Sequence, residues 1–140
     1  MNIHIKKMNI HYIKEVITLL HKNLSEYNPP VNEYNEIWDI FSSQSNVFAV
    51  VAIIEEKVVG YGALLIEIKI RGGKAGHIED IVTHENFLKM GIGKLIQEAL
   101  YLKALENGCH KIALQCREHN IDFYKKCNYE ISGVGMQKFI

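Results

Sequence analysis

Apolar residues in the first half of the chain follow first a helical period and then a strand period. Isoleucine or leucine stands at positions 10, 13, 17, 20 and 24, and this spacing predicts a helix that begins after a cap at Asn9. A shorter helix is predicted over Glu33–Phe41, and a short strand at Ile3–Ile5 is predicted to precede both helices. Val47–Ile54 is a continuous apolar run rich in β-branched residues, and Val58–Ile70 follows it after a Glu-Glu-Lys turn. These two segments are therefore predicted to form a hairpin.

The second half of the chain continues with strands and helices in alternation. Ala75–Thr83 follows a Gly-Gly turn and is predicted to be a third strand of the meander. Apolar residues from Ile92 to Leu105 recur at steps of three and four, which predicts a long helix that Gly108 is placed to end. The remaining predicted elements are a strand at Lys111–Cys116, a short helix at Asn120–Cys127, and closing strands at Tyr129–Ser132 and Met136–Ile140. This order is typical of a mixed α/β fold, here as a single domain over residues 1–140.

Charge and composition argue against several classes of protein. The chain has 16 Lys and Arg and 16 Asp and Glu, and this zero net charge argues against binding a nucleic acid through its phosphates. The longest apolar run, Val47–Ile54, is far shorter than the ~20 residues of a membrane span. The cysteines at positions 109, 116 and 127 have neither disulfide-framework nor metal-ligand spacing. The chain has no apolar leader at its start, so it is expected to be cytoplasmic. Because its cysteines lack metal-ligand spacing, it is also expected to use no metal.

A glycine turn leads from the third strand into the long helix. Gly91 and Gly93 carry no Cβ, so an anion can approach the main chain closely, and Lys89 and Lys94 add positive charge. Backbone N–H groups at the start of a helix form a site for phosphate or pyrophosphate. The spacing is not that of a Walker A loop, and the Rossmann fingerprint lacks its third glycine. The alternative interpretation is that both glycines only allow a tight turn.

Several motifs in this half resemble those of the GNAT superfamily of acetyl-CoA-dependent N-acetyltransferases. Leu88–Gly93 is similar to the superfamily's pyrophosphate motif, Arg/Gln-x-x-Gly/Gln-x-Gly/Ala, with leucine in its first position. Gly76–Val82, with the sequence GHIEDIV, resembles a strand of glucosamine-6-phosphate N-acetyltransferases, and Gly108–Cys116 resembles their following strand. Asn120–Tyr129 resembles their helix and turn N-x-x-F-Y-x-K-x-G/N-Y/F. The resemblance implies a GNAT-type fold, a central mixed sheet with helices on both faces, in a homodimer.

The resemblance also implies acetyl-CoA as the co-substrate. Its pantetheine arm is expected beside the strand that ends at Thr83, where its amides pair with main-chain groups as an added strand would. The pyrophosphate is expected on the amides of the glycine turn. The implied acetyl-CoA contacts are Ile81, Val82, Thr83, Lys89, Met90, Gly91, Ile92, Gly93, Lys94, Asn120, Tyr124 and Lys126.

Three residues are implied in the acetyl transfer itself. The Tyr124 hydroxyl is expected to hydrogen-bond or protonate the departing thiolate, and the alternative is a core aromatic on a short helix capped by Asn120. The N–H of Ile81 is expected to point at the thioester oxygen. Glu79 is expected to hold the substrate amine, and the alternative is a structural salt bridge at a dimer interface. Because Glu79 and Asp80 are consecutive in a predicted strand, their side chains are expected on opposite faces of the sheet.

A further set of residues is implied in binding a sugar phosphate, although any one of the basic side chains can instead be a solvated charge. Gln115 stands where many relatives have an acidic residue, and Phe139 stands where relatives have an arginine. The implied substrate-binding residues are Ser25, Lys69, Ile70, Arg71, Glu79, Asp80, His110, Lys111, Gln115 and Lys138.

The function implied by the resemblance is transfer of acetyl from acetyl-CoA to the amine of D-glucosamine 6-phosphate, a step toward UDP-N-acetylglucosamine. Gln115 and Phe139 leave open a GNAT enzyme for another amine, such as a protein N-terminus, a polyamine or a different amino sugar. A non-catalytic acyl-CoA-binding module is the third possibility. Tyr124 argues against that module, because a protein that only binds acyl-CoA needs no acid for the leaving group.

Overall fold

A five-stranded sheet forms the centre of the fold, in a computed structural model that describes residues 2–24 and 27–140. The strands are β1 (His4–Lys7), β2 (Val47–Ile54), β3 (Lys57–Ile68), β4 (Lys74–Thr83) and β5 (Lys111–Leu114). The helices are α1 (Ile13–Leu24), α2 (Tyr34–Ser42), α3 (Ile92–Glu106) and α4 (Ile121–Lys126). The strands lie side by side in chain order, the first four antiparallel and β5 parallel to β4. α3 makes the crossover that a parallel pair requires.

Helices cover both faces of the sheet, which confirms the predicted fold. On one face, Val16 and Leu19 of α1 are buried in a cluster with Tyr61 of β3, and side chains of α2 pack at its margin. On the other face, Ile96 and Leu100 of α3 are almost completely buried against β2, β3 and β4. The buried faces differ in part from the apolar periods that predicted these helices: Val16, Leu19 and Leu100 are buried outside those periods, while Leu24, Leu102 and Leu105 are exposed. Among the described residues, no helix combines the length and the apolar character needed to cross a membrane.

The long helix lies directly on the backbone of β3. A Cβ atom on Gly60 would stand 2.8 Å from side-chain atoms of both Ile92 and Ile96, and one on Gly62 would stand 2.6 Å from Ile96. Carbon atoms do not pack at such distances, so α3 reaches this position only because these two residues, the glycine seam, lack side chains. The first turn of α3 is thereby held at a set height above the sheet.

The largest difference from the prediction lies at the C-terminal end. β5 ends at Leu114 rather than Cys116, and the predicted strands at Tyr129–Ser132 and Met136–Ile140 are wrong, since residues 129–140 (the tail) form neither strand nor helix. A strand forms only where its backbone groups pair with a neighbour, and among the described residues the tail pairs with no strand, although β5 is an edge strand. Four apolar side chains of the tail are between 68% and 93% exposed: Ile131, Val134, Met136 and Phe139.

Candidate active site

A cleft opens where β4 and β5 separate. β4 continues to Thr83, but its pairing with β5 runs only from Ala75 opposite Lys111 to Ile78 opposite Leu114. Beyond that point no described strand pairs with the β5 side of β4, so the backbone of Ile81–Thr83 is available to a ligand that binds as an extra strand. A space of about 1020 Å³ lies on the other side of β5, and its lining consists of residues of β5, α3, α4, the tail and the adjoining loops, with none from β4.

A β-bulge shapes the β4 side of this cleft. Tyr61 pairs with Val82 and Ala63 with Glu79, so two residues of β4 face one residue of β3, and Asp80 has a left-handed φ of 55°. Glu79 and Asp80 are both exposed. The expectation that their side chains lie on opposite faces assumed a regular strand and does not apply here, because the bulge interrupts the alternation. Both carboxylates are thus near the point where the strands separate.

The glycine turn lies next to the end of β4. Lys89 and Gly91 have φ values of 62° and 83°, and a turn that contains left-handed residues presents backbone N–H groups as an anion-binding concavity. The first hydrogen bond of α3 runs from the N–H of Leu95 to the carbonyl of Gly91, at 3.0 Å. The N–H groups of Ile92, Gly93 and Lys94 therefore precede the hydrogen-bonded part of the helix. Lys89 and Lys94 are exposed beside them.

The two glycines of this turn differ in whether the backbone conformation requires glycine. Gly91 needs its left-handed φ, which supports the tight-turn interpretation for that residue. Gly93 lies within α3, where glycine costs about 0.5–1 kcal/mol relative to alanine. A Cβ on Gly93 would stand 3.4 Å from Cζ of Phe123 and 3.9 Å from Oγ1 of Thr83, so an alanine would fit. Neither the backbone conformation nor the packing excludes an alanine at position 93.

Tyr124 stands on α4 with its ring between two other aromatic rings. The ring centroids of Phe123 and Tyr129 lie 5.0 and 5.7 Å away, both at nearly perpendicular angles. Burial raises the pKa of Tyr124 to about 12, helped by the nearby Cys116 thiol, so its hydroxyl stays protonated at neutral pH. A protonated phenol beside the cleft can donate a proton or a hydrogen bond. The predicted capping by Asn120 is not seen: it makes no side-chain cap bond, because a 3-10 turn over Glu118–Asn120 runs directly into α4.

The basic residues implied in phosphate binding lie at the other end of the β4–β5 pair. Arg71 is in the β3–β4 turn, and Lys111 pairs with Ala75 at the start of β4. The Lys69 ammonium is 3.0 Å from the Glu67 carboxylate, which His77 also contacts at 2.9 Å, and these hydrogen bonds lower the pKa of Glu67. The other members at this end are His110, whose ring is next to Gly73, and Ile70, which is fully exposed.

One chain does not bring the two groups together. Lys74 and Glu79 are five positions apart in β4, and at ~3.3 Å per residue their backbones lie about 17 Å apart along the strand. Lys126 and Lys138 are exposed on α4 and in the tail, and Ser25 lies outside the described residues. Gln115 directs its side chain toward the tail, where its amide occupies the place that a Cβ on Gly135 would take.

Sequence reasoning missed one pair of residues near Tyr124. Gln97 on α3 is 5% exposed, and its Nε2 donates to the Tyr129 hydroxyl at 3.0 Å. The signal for it was available, because position 97 lies four residues after Gly93 and three before Leu100, on the side of α3 that packs against the rest of the protein. A polar residue on that side requires a partner.

Comparisons with known proteins match most of the chain, including the regions of the candidate site. Residues 13–129 match the family model described as the acetyltransferase (GNAT) family. The chain is 34% identical over 124 residues to glucosamine 6-phosphate N-acetyltransferase 1 of Dictyostelium discoideum, covering 85% of this chain and 79% of that protein. It is 32% identical to the Schizosaccharomyces pombe glucosamine 6-phosphate N-acetyltransferase, covering 71% of this chain and 91% of that protein. The crystal structure of the Arabidopsis thaliana enzyme of that name superposes with a TM-score of 0.92 at 29% identity, over 99% of both chains.

Proposed function

This chain belongs to the acetyltransferase (GNAT) family, and from that premise we propose that it transfers acetyl from acetyl-CoA to the amine of D-glucosamine 6-phosphate. The product is N-acetyl-D-glucosamine 6-phosphate, a precursor for UDP-N-acetylglucosamine. The observation that carries the proposal is the separation of β4 from β5 after Ile78, with the glycine turn following the end of β4 and Tyr124 on α4, which follows β5. The sequence identity to glucosamine 6-phosphate N-acetyltransferases supports the choice of amine.

In this proposal, acetyl-CoA is held mainly by main-chain groups and by the dipole of α3. The pantetheine amides pair with Ile81–Thr83, and the pyrophosphate accepts hydrogen bonds from the amides around Gly91 and Gly93. Lys89, Lys94 and Lys126 are exposed cations near this path and contribute screened attraction only. Asn120, at the start of α4, makes no side-chain cap bond and is available to the CoA end of the site.

The chemistry divides between the two sides of the cleft. On the β4 side, the Glu79 carboxylate holds the substrate amine, and the Ile81 N–H donates to the thioester oxygen as negative charge develops on it. A water or a main-chain oxygen takes the proton that the amine loses. As the C–S bond breaks, the Tyr124 hydroxyl on the α4 side donates to the departing thiolate. Each group acts on a different atom of the reaction.

We infer that a second copy of the chain completes the phosphate end of the site. In one chain the basic residues near Lys74 lie at the far end of β4 from Glu79, ~17 Å away along the backbone. The exposed apolar side chains of the tail support a partner surface there, since such residues are usually covered in the working assembly. In a homodimer, the partner brings Lys138 of its tail, or Lys69, Arg71, His110 and Lys111, to the cleft. The cytoplasmic location, and the absence of nucleic-acid and membrane partners, stay predictions.

An acetyltransferase for a different amine is the alternative that the structure keeps open, because the basic residues and Glu79 lie apart in one chain. Thiol release from acetyl-CoA distinguishes the two when glucosamine 6-phosphate is compared with glucosamine, spermidine and a peptide N-terminus. We expect kcat/KM to be at least tenfold higher for glucosamine 6-phosphate than for glucosamine, because the phosphate adds charge-assisted hydrogen bonds. Equal values would favour another amine, and no thiol release with any amine would favour a binding module.

Substitution at Gly93 tests the backbone character of the pyrophosphate site. Gly93→Val is expected to weaken CoA binding more than tenfold, because the valine γ-carbons extend into the space between Thr83 and Phe123. Gly93→Ala is the matched control, since one methyl fits there and the superfamily motif accepts alanine. Lys89→Ala is expected to cost about 1 kcal/mol or less, as for an exposed charge. Calorimetry of CoA binding measures all three, and a larger loss for Lys89→Ala than for Gly93→Val would contradict this site.

A further inference from the structure

We propose that Gln97 and Tyr129 are positioning residues that hold the ring of Tyr124 in its place beside the cleft. The proposal rests on the proposed function, because it requires that the Tyr124 hydroxyl acts on the departing thiolate. Neither residue reaches the reacting atoms in this proposal. They act only through Tyr124, which distinguishes them from the catalytic groups.

The first observation is the burial of an amide in an apolar setting. Gln97 is the sole buried polar or charged residue of segments 2–24 and 27–140. Its neighbours along the buried side of α3 are Ile96 and Leu100, which are almost completely buried. An amide in such a place is unfavourable unless it is hydrogen-bonded, and its Nε2 donates to the Tyr129 hydroxyl at 3.0 Å. The hydrogen bond therefore fixes the direction of the Tyr129 side chain relative to α3.

The second observation is the contact between Tyr129 and Tyr124. Their ring centroids are 5.7 Å apart at 79°, an edge-to-face arrangement, and the N–H of Tyr129 donates to the carbonyl of Tyr124 at 3.0 Å. Phe123 contacts the Tyr124 ring in the same manner. The Tyr124 ring thus has a perpendicular neighbour in Tyr129, whose own orientation is set by Gln97.

The third observation connects this pair to the glycine turn. Gln97 follows Gly93 by four residues and so lies one helical turn along the same side of α3. The helix whose first turn presents amides to the pyrophosphate therefore also orients the ring that carries the proposed acid. Positioning of this kind matters because displacement of a reacting group by ~1 Å can cost up to about 10²-fold in rate.

Two substitutions remove the hydrogen bond while keeping the shape of each side chain. Tyr129→Phe keeps the ring, and Gln97→Met keeps the volume and replaces the amide with an apolar group. Each is expected to lower kcat three- to tenfold, with KM for acetyl-CoA changed by less than twofold. The double variant is expected to be no slower than the slower single variant, because both changes break one interaction. Tyr12→Phe is the matched control: this tyrosine is also partly buried but packs on the other face of the sheet, and its kcat should be unchanged.

The decisive measurement repeats Tyr129→Phe in a Tyr124→Phe background. If the pair acts through the Tyr124 hydroxyl, removal of that hydroxyl should leave Tyr129→Phe with less than a 1.5-fold effect on kcat. An effect of equal size in both backgrounds, or no effect of Tyr129→Phe on the full enzyme, would overturn the proposal and leave the proposed function standing. Failure of the unsubstituted protein to acetylate glucosamine 6-phosphate would reject the proposed function, and this inference with it. Melting temperatures of all variants separate loss of fold from loss of positioning.

Discussion

Tyr124→Phe is expected to lower kcat by roughly 10- to 1000-fold, the range of general acid–base groups. The phenol meets negative charge only as the thiolate forms, so its contribution belongs to the transition state, and KM for acetyl-CoA should change by no more than about threefold. Burial places the pKa of Tyr124 at about 12, so the hydroxyl is protonated throughout the pH range of an ordinary assay. Steady-state kinetics with glucosamine 6-phosphate, followed by thiol release, provide the measurement.

The control for this substitution is the stability of the variant. Phenylalanine keeps the two edge-to-face contacts that the Tyr124 ring makes with Phe123 and Tyr129, so the melting temperature should be nearly unchanged. Full kcat in Tyr124→Phe would mean that water or another group protonates the thiolate, and that Tyr124 is the core aromatic of the alternative interpretation. Lower stability with unchanged kcat would lead to the same conclusion.

Removal of residues 135–140 is expected to abolish activity and self-association together. These residues include Met136 and Phe139, which are 93% and 75% exposed in one chain, and a partner surface that covers them would be lost. The deletion also removes Lys138, one of the cations proposed for the phosphate end of the site. Sedimentation at micromolar concentration should show the full chain at about twice its 16.1 kDa mass and the shortened chain as a monomer.

A point substitution in the tail separates charge from docking. Lys138→Ala keeps the apolar residues and should leave the dimer intact, while KM for glucosamine 6-phosphate rises if this lysine binds the phosphate. Sedimentation of the full chain as a monomer would reject the dimer. A shortened chain that is monomeric and fully active would show instead that each copy holds a complete site.

The layered fold was predictable because local patterns determine it. The apolar steps at positions 13, 17, 20 and 24 fall within α1, and the run Val47–Ile54 matches β2 without a shift. The beginning of α1 differs from the prediction: the Asn9 side chain accepts from the His11 N–H at 2.8 Å, but it caps a 3-10 turn, and the α-helix begins at Ile13. Periodicity indicates that a segment is helical, and where the helix begins is decided by hydrogen bonds of a single turn that periodicity does not describe.

The features that shape the site depend on relations between distant segments. The bulge at Asp80 is a matter of register between β3 and β4, which the composition of either strand does not reveal. The hydrogen bond between Gln97 and Tyr129 joins residues 32 positions apart. The strands predicted at Tyr129–Ser132 and Met136–Ile140 do not form, because the sequence of a segment indicates only that it is able to pair with a strand, not that it does.

The glycine seam has a consequence for how this protein tolerates mutation. Side chains of a core exchange volume over evolutionary time, and helices that rest on them shift by fractions of an ångström as they do. α3 rests through Ile92 and Ile96 on backbone atoms at Gly60 and Gly62, so on the side of the sheet no side-chain volume sets this contact. Substitutions in neighbouring layers can therefore occur without changing the spacing between the sheet and the amides of the glycine turn. Substitutions in the core are in this way decoupled from the geometry of the proposed site.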